Sequence, residues 1–414
     1  MMQAANSTVD TLLPHLFRQE YAKLTAVLSR YFGFEHIEVA EDIASETFLK
    51  ATEHWPVHGI PDSPAAWLYM VAKNKAKDYL KRHQLFESQI RAEIGRGETV
   101  HTPPFEFTEE RIADSQLSML FAVCDPANPP QVQVCLALQI LCGFSVEEIA
   151  NAFLSNKETI KKRLQRGRDH LRRGHFRLQE LPDSVLHERF DMVLKTLYLL
   201  FNEGYFSQNE DAFIRKDLCS EAMRLALLLA ESKLTGKHQA SALLALMCFQ
   251  SSRLDARTDD TGQAVLYEDQ DRSLWDQFLM EKGNYYLFKA FETKAVSTYH
   301  VQAGIAYWHT TSGVEKWPHI LQLYNQLVVL EYSPATAINR AFAVAQVHGF
   351  DRAIAEAEKL NLAGNNHYHG LMGYLYSPVH PERALFHYRE ALTSARSAVE
   401  KKVLAGKIAQ LTAP

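Results

Sequence analysis

The 414-residue sequence predicts an all-α fold built from several domains. Apolar residues recur at helical spacing, three and four apart, from Val9 to the C-terminus, and alternating strand-type runs are scarce. Three polar stretches bearing proline or glycine interrupt this pattern: Trp55 to Pro64, Glu93 to Glu109, and Leu181 to Ser184 around Pro182. A chain of this length exceeds what one hydrophobic core ordinarily serves. The punctuation divides it into a helical domain near 8–85, a linker over 86–110, a second helical domain near 111–180, and a larger helical remainder over 185–414.

Composition removes several classes. No N-terminal stretch joins a basic start to an apolar core, and runs such as Leu197 to Phe201 fall far short of the roughly 20 apolar residues of a membrane span. A soluble, cytoplasmic protein without a membrane partner is expected. The five cysteines, Cys124, Cys135, Cys142, Cys219 and Cys248, are odd in number and contain no C-x-x-C pair, so they read as small buried apolar residues. Phosphate-binding glycine loops, nucleophile elbows and metal-spaced His/Glu motifs are absent, so neither catalysis nor a cofactor is expected. His367, His369, Glu268, Asp269 and Asp271 match no ligand spacing and read as loop polars and helix caps.

In the first domain, a helix around Glu38 to His54 places Glu38, Asp42 and Glu46 four apart on one acidic face, with Glu41 beside them. Val39, Ile43, Thr47 and Ala51 turn to a core. After the proline loop, Ser63 caps and Pro64 opens a helix to about Arg82. Its apolar stripe, with Leu68, Val71 and Ala76, runs beside a basic one of Lys73, Lys77 and Lys81, near Asn74, Lys75 and Arg82. Cations interleaved with aromatics suit single-stranded nucleic acid. Trp67 and Tyr79 more often belong to a core.

In the second domain, net charge −5 overall conceals a basic stripe: nine Lys or Arg against two acids between Ser155 and Leu178, with Arg177 the last of the nine. Gly143 ends one helix, Ser145 and Glu148 form a capping box for the next, and Ser155 with Glu158 repeats it. Two capped helices across so short a turn form a helix-turn-helix, with Ile149, Ala150, Phe153, Ile160, Leu164 and Leu171 inward. Lys157, Thr159, Lys161, Lys162, Arg163 and Arg166 then face outward, suited to a major groove. A solvated cationic face is the plainer alternative, although charge of one sign at this density is self-repelling.

Asp42-Ile-Ala-Ser-Glu-Thr-Phe-Leu49, Pro64-Ala-Ala-Trp-Leu68 and Val71-Ala-Lys-Asn-Lys-Ala-Lys-Asp78 resemble region 2 of the extracytoplasmic-function branch of the sigma-70 family. Phe144-Ser-Val-Glu-Glu-Ile-Ala150, Thr159-Ile-Lys-Lys-Arg-Leu164 and Arg168 to Arg172 resemble its region 4. The resemblance implies that the acidic helix, through Glu38, Asp42, Glu46, Thr47 and Phe48, docks on the clamp helices of core RNA polymerase. It implies that the loop from Trp55 to Ser63 and Asn74, Lys75, Lys77, Lys81 and Arg82 capture the opened minus-ten strand. It implies also that Lys157 to Arg166 reads duplex promoter DNA at minus-thirty-five.

Beyond 185 the chain resembles the subgroup with a long tetratricopeptide-like extension, through Leu200-Phe-Asn-Glu-Gly-Tyr205, Leu218-Cys-Ser-Glu-Ala-Met-Arg-Leu225, Leu244-Ala-Leu-Met247, Glu268-Asp-Gln-Asp-Arg-Ser-Leu-Trp275 and Asn339-Arg-Ala341. Ala353, Ala357 and Leu360 recur as Ala384, Tyr388 and Ala391 at an offset of 31, near the tetratricopeptide period of about 34. Repeat-like structure is thus expected over 333–395. The extension is expected to be a regulatory or structural domain that touches the sigma core or the polymerase, or a binding module for a separate regulatory protein; an enzyme is the third reading, against which the missing catalytic motifs stand. The competing whole-chain reading is a regulator that binds duplex DNA without polymerase, for which the acidic face would have no use.

Overall fold

The computed structural model describes residues 2–94, 106–153, 155–173, 176, 181–205, 215–234, 236–259, 265, 267–311, 313, 315–395 and 398–412. Residues 95–105 of the expected linker, Arg177 and the side chain of Glu268 lie outside the described residues. The described residues form eighteen α-helices and no strand. None of these helices is long and apolar enough to cross a membrane. The chain divides into two compact units, Met1–Thr196 and Leu197–Pro414.

The first unit opens with α1 (Met2–Phe32), α2 (Ile37–His58), α3 (Pro64–Ile94) and α4 (Glu109–Val123). Their shared core takes Leu16, Leu24 and Leu28 from α1, Ala40, Ile43, Ala44 and Phe48 from α2, Leu68, Ala72 and Ala76 from α3, and Ile112 from α4. The small residues let α2 and α3 approach closely while the leucines fill the space between helices.

Two boundaries differ from expectation. The sequence suggests a loop from Trp55, yet α2 continues through Pro56 to His58. Pro56 lacks the N–H that would bond the carbonyl four residues back, a loss tolerated here in the last turn. Trp55 anchors that turn, being 1% exposed, and Gly59 N donates to Trp55 O at 2.9 Å. The connecting loop is therefore only 59–63. α3 likewise passes Arg82 and ends at Ile94.

The unit continues with α5 (Pro130–Leu136), a π turn over Ala137–Leu141, α6 (Val146–Ala152), α7 (Lys157–Arg173) and α8 (Asp183–Tyr205). α7 packs on α5 through Gly167, where a Cβ would lie 2.5 Å from Leu136 Cδ1. The first turns of α8 also belong to this unit. Phe190 meets Phe121 at 6.1 Å, Arg189 bonds Asp125 at 2.5 Å, and Thr196 donates to Gln133 at 3.0 Å.

The second unit follows with α9 (Lys216–Ala230), α10 (Lys237–Ser251), α11 (Gln277–Ala290), α12 (Thr298–Thr310), α13 (Lys316–Leu330), α14 (Pro334–His348), α15 (Phe350–Glu358), α16 (Asn366–Tyr376), α17 (Pro381–Ser394) and α18 (Ala398–Thr412). Each of these helices packs against its neighbours in sequence, the pattern of a stack in which every element covers the apolar face of the one before. Ala353 and Ala357 of α15 share one core with Ala384, Tyr388 and Ala391 of α17. All five cysteines are free and buried.

Candidate functional site

On α2, Glu38, Asp42 and Glu46 are exposed along one face. Asp42 and Glu46 line one wall of a cleft of about 560 Å3, opposite Lys75, Asp78, Tyr79 and Arg82 of α3. Glu46 reaches across to Lys75 Nζ at 2.6 Å. Thr47 and Phe48, expected on the docking surface, are instead interior. Thr47 is 0% and Phe48 6% exposed. The Thr47 hydroxyl donates to Ile43 O at 2.7 Å, and the Phe48 ring sits edge-on to Phe17 at 5.0 Å. Helical spacing turns position 47 inward and position 48 toward Phe17 of α1, so these two side chains hold the acidic face in place without presenting a surface of their own.

On α3, Asn74, Lys77, Lys81 and Arg82 are exposed, while Lys75 is half-buried toward Glu46. Arg82 Nε donates to Asp78 O at 3.3 Å. The two aromatics considered as stacking platforms are half-buried against the core: Trp67 against Trp55 at 5.5 Å, and Tyr79, which also lines the cleft, against Phe32 at 5.5 Å. An apolar feature escapes the sequence patterns above. Leu49, Val57 and Met70 are 59%, 74% and 52% exposed. Spacing could have found two of them: Leu49 follows Asp42 and Glu46 on the same helical face, and Met70 precedes Asn74, Lys77 and Lys81 at four, three and four.

At the other end of the unit, Ser145 and Glu148 form the expected capping box. Glu148 N donates to Ser145 Oγ at 3.1 Å, and Ser145 N to Glu148 Oε2 at 2.8 Å. Gly143 precedes it with φ 70°, a left-handed conformation that costs glycine little. The second box is corrected. Asn156, not Ser155, caps α7, its Oδ1 accepting from Thr159 N at 2.7 Å. Ser155 N closes the preceding turn on Ala150 O at 2.9 Å, and asparagine is as good a cap as serine.

Of the α7 cations, Lys157 pairs with Glu147 at 2.5 Å and Lys161 with Glu158 at 2.8 Å, both on open surface. Hydrogen bonding and charge from Lys161 hold the Glu158 carboxyl below its ordinary range. Lys162 and Arg166 are exposed, whereas Thr159 and Arg163 are half-buried. Arg163 offsets part of the rise that burial gives the Cys135 thiol. Ile149, Ala150, Ile160, Leu164 and Leu171 are buried beneath, and Phe153 is half-buried.

The end of α7 turns back on α2. Arg168 donates Nη1 and Nη2 to the two carboxylate oxygens of Glu41, each at 2.7 Å, with both side chains about 15% exposed. The same guanidinium reaches Gln139 Oε1 at 2.9 Å. Burial disfavours the charged guanidinium, but Glu41 outweighs it and raises its pKa. Arg172 Nη2 meets Glu38 Oε1 at 2.6 Å, and Phe34 meets Phe176 edge-on at 5.8 Å.

Among the described residues no group of three His, Cys, Asp or Glu converges as metal ligands would. Asp271 accepts from Ser273 N as a cap at 2.8 Å. His369 faces His387 at 2.9 Å and Ala363 O at 2.8 Å, while His367 is 4.0 Å from Glu400.

Comparison with known proteins locates these surfaces in a family. Residues 16–86 match Sigma-70 region 2, and residues 189–291 match a family of unknown function, DUF6596. An uncharacterized protein of Rhizobium meliloti is 35% identical over 363 residues, covering 84% of this chain and 83% of that protein. The ECF RNA polymerase sigma factor BldN of Streptomyces coelicolor is 34% identical over 127 residues, 30% of this chain and 45% of its own. The ECF RNA polymerase sigma factor SigE of Mycolicibacterium smegmatis is 27% identical over 171 residues, 41% of this chain and 62% of its own. No solved structure matches the chain. With region 2 matched in sequence and a long helical portion behind it, the chain belongs to the extracytoplasmic-function sigma factors of the sigma-70 family that carry a long C-terminal extension.

Proposed function

We propose that this chain directs promoter-specific initiation by core RNA polymerase through three surfaces of its first unit. The acidic row Glu38, Asp42 and Glu46, continued by Leu49, docks on the polymerase clamp. The row Asn74, Lys77, Lys81 and Arg82, preceded by Met70, holds the opened minus-ten strand, the three cations meeting phosphates and the apolar side chain meeting bases. The α6–α7 helix-turn-helix places the exposed start of α7 in the minus-thirty-five major groove. The observation that supports this most is the exposed acidic row of α2, whose Asp42 and Glu46 form one wall of the cleft beside α3. A protein that only reads duplex DNA has no use for the acidic wall.

The stacked helices after Tyr205 form a tetratricopeptide-like module that regulates this core or recruits a partner. Truncation must respect α8, because Arg189, Phe190 and Thr196 pack on the first unit. A chain ending at Tyr205 should give altered promoter output, and equal output would remove the regulatory role. The reading as a whole is tested by promoter binding of the full chain with and without core polymerase. Specific binding only in the presence of polymerase supports it, and tight specific binding by the chain alone would make it a conventional regulator.

A further inference from the structure

We infer that the second unit binds a phosphate-bearing small molecule in a cationic, aromatic box formed by Arg253, Tyr267, Trp275, His309 and Lys316. The box lies wholly within that unit and is independent of how α2 and α7 act.

Separate parts of the chain converge there. Arg253 follows α10, Tyr267 opens and Trp275 closes a pair of short 3-10 turns that lead into α11, and His309 and Lys316 come from the end of α12 and the start of α13. Tyr205 and Trp275 are the last residues of two stretches that resemble the extended subgroup. Arg253 joins them: its Nη2 donates to Tyr205 Oη at 3.1 Å, and its guanidinium carbon lies 5.8 Å from the Trp275 ring centroid. Tyr267 is the middle of the box. Arg253 and Lys316 approach its ring to 5.0 and 5.1 Å, and the His309 ring meets it edge-on at 5.2 Å. The Tyr267 hydroxyl donates to His309 O at 2.6 Å and accepts from Lys316 Nζ at 3.0 Å.

The positive charge of this box has no counter-charge. Lys316 is only 7% exposed, and among the described residues neither it nor Arg253 meets a carboxylate. The acids on the neighbouring turns are spent elsewhere: Asp271 accepts from Ser273 N at 2.8 Å, Asp276 from Leu279 N at 3.0 Å, and Asp255 pairs with Lys216. Interior cations are ordinarily paired, because an unpaired buried charge is costly. Two buried nitrogens also lack a partner among the described residues, Trp275 Nε1 and His309 Nδ1. Burial and the charges of Arg253 and Lys316 push the His309 imidazole down to about 3, so it is neutral and its Nδ1–H tautomer can donate.

Two cations with indole and imidazole donors match a phosphate group, which carries about −1.5 to −2 at neutral pH and several acceptor oxygens, better than the single charge of a carboxylate. Lys316 also opens α13, whose N-cap side chain makes no capping bond and whose first turn holds no acid. The field of that helix N-terminus favours an anion too.

Isothermal titration calorimetry of the full chain tests the box, with inorganic phosphate as probe and acetate beside it at fixed ionic strength. One saturable site per chain is expected for phosphate, with acetate far weaker. Lys316→Met should weaken phosphate binding by roughly tenfold or more, and Trp275→Phe, which keeps a ring and drops the N–H, by roughly threefold or more. Should Lys316→Met fail to fold, Trp275→Phe carries the test. Lys162→Ala with Arg166→Ala removes exposed cations of α7 and should leave phosphate binding unchanged; loss of binding there would put the phosphate on α7 and overturn the box. No saturable binding at millimolar phosphate, acetate binding equal to phosphate, or parental affinity in both box variants would overturn it as well.

Discussion

Arg168 on α7 and Glu41 on α2, 127 residues apart in sequence, face each other fork to fork with both N–O distances at 2.7 Å. Bidentate guanidinium–carboxylate pairs are the strongest and most directional of protein ion pairs. This one joins the helix proposed to dock on polymerase to the helix proposed to read duplex DNA, a pairing that neither helix betrays alone.

The acidic row is the element whose loss should be most selective. Asp42→Lys with Glu46→Lys is expected to lower affinity for core polymerase at least tenfold. Both side chains are exposed, and exposed ion pairs such as Glu46 with Lys75 contribute only about 0–1 kcal/mol to stability. The thermal midpoint should therefore move little. Co-purification with polymerase at the parent's level would remove α2 as the docking surface.

On α7, Lys162 and Arg166 are the exposed cations best placed to meet phosphates. Replacing either by alanine should weaken promoter binding by the holoenzyme and reduce the slope of log K against log salt by about 0.9 for each phosphate no longer neutralised. Titrations at several salt concentrations measure this directly. An unchanged slope would mean that α7 does not follow the DNA backbone.

The capping register makes a sharp pair of variants. Asn156→Ala should cost about 1 kcal/mol, the usual worth of an N-cap, while Ser155→Ala should cost much less, because the bond to Thr159 N comes from Asn156. Thermal or denaturant unfolding of the two variants distinguishes them, and the reverse order would restore Ser155 as the cap.

Acid stability should carry a contribution from Asp125. Burial pushes its carboxyl up, but the Ala127 N–H, Arg189 and His170 together hold it below the ordinary value. A depressed folded pKa gives stability that is present above the unfolded value of about 4 and is lost as pH falls through the folded one. Asp125→Asn should therefore flatten the dependence of unfolding free energy on pH below about 4. A curve parallel to the parent's would contradict the ion pair with Arg189.

The cysteines should be silent. Burial pushes the thiols of Cys124, Cys219 and Cys248 up to about 12, and thiolate is the reactive form. A maleimide at pH 8 should label none of the five in the native chain and all of them after denaturation. Rapid native labelling would reopen a redox role.

What could be read from sequence was local. The Ser145–Glu148 box, the glycine at 143 and the four-apart acids of α2 are patterns within a few residues of one another, and the structure holds each where spacing put it. Pro56 misled because proline marks a break only when nothing else secures the turn, and the buried Trp55 secures this one. Helical spacing placed Thr47 inward while its motif placed it outward, and spacing prevailed; Phe48 was assigned outward by the motif alone, and its burial follows from the position of α1, which no local pattern encodes. The Arg168–Glu41 pair was out of reach for the same reason. Glu41 and Arg168 each look like ordinary members of a charged helix until the packing of α4 on α1 brings their domains together.

The central claim is tested most directly by run-off transcription with core RNA polymerase, the full chain and a pool of bacterial promoters. Initiation at discrete start sites that require the chain, lost with Asp42→Lys and Glu46→Lys, is the expected result. No initiation from any promoter, with core polymerase shown active on another sigma factor, would contradict it.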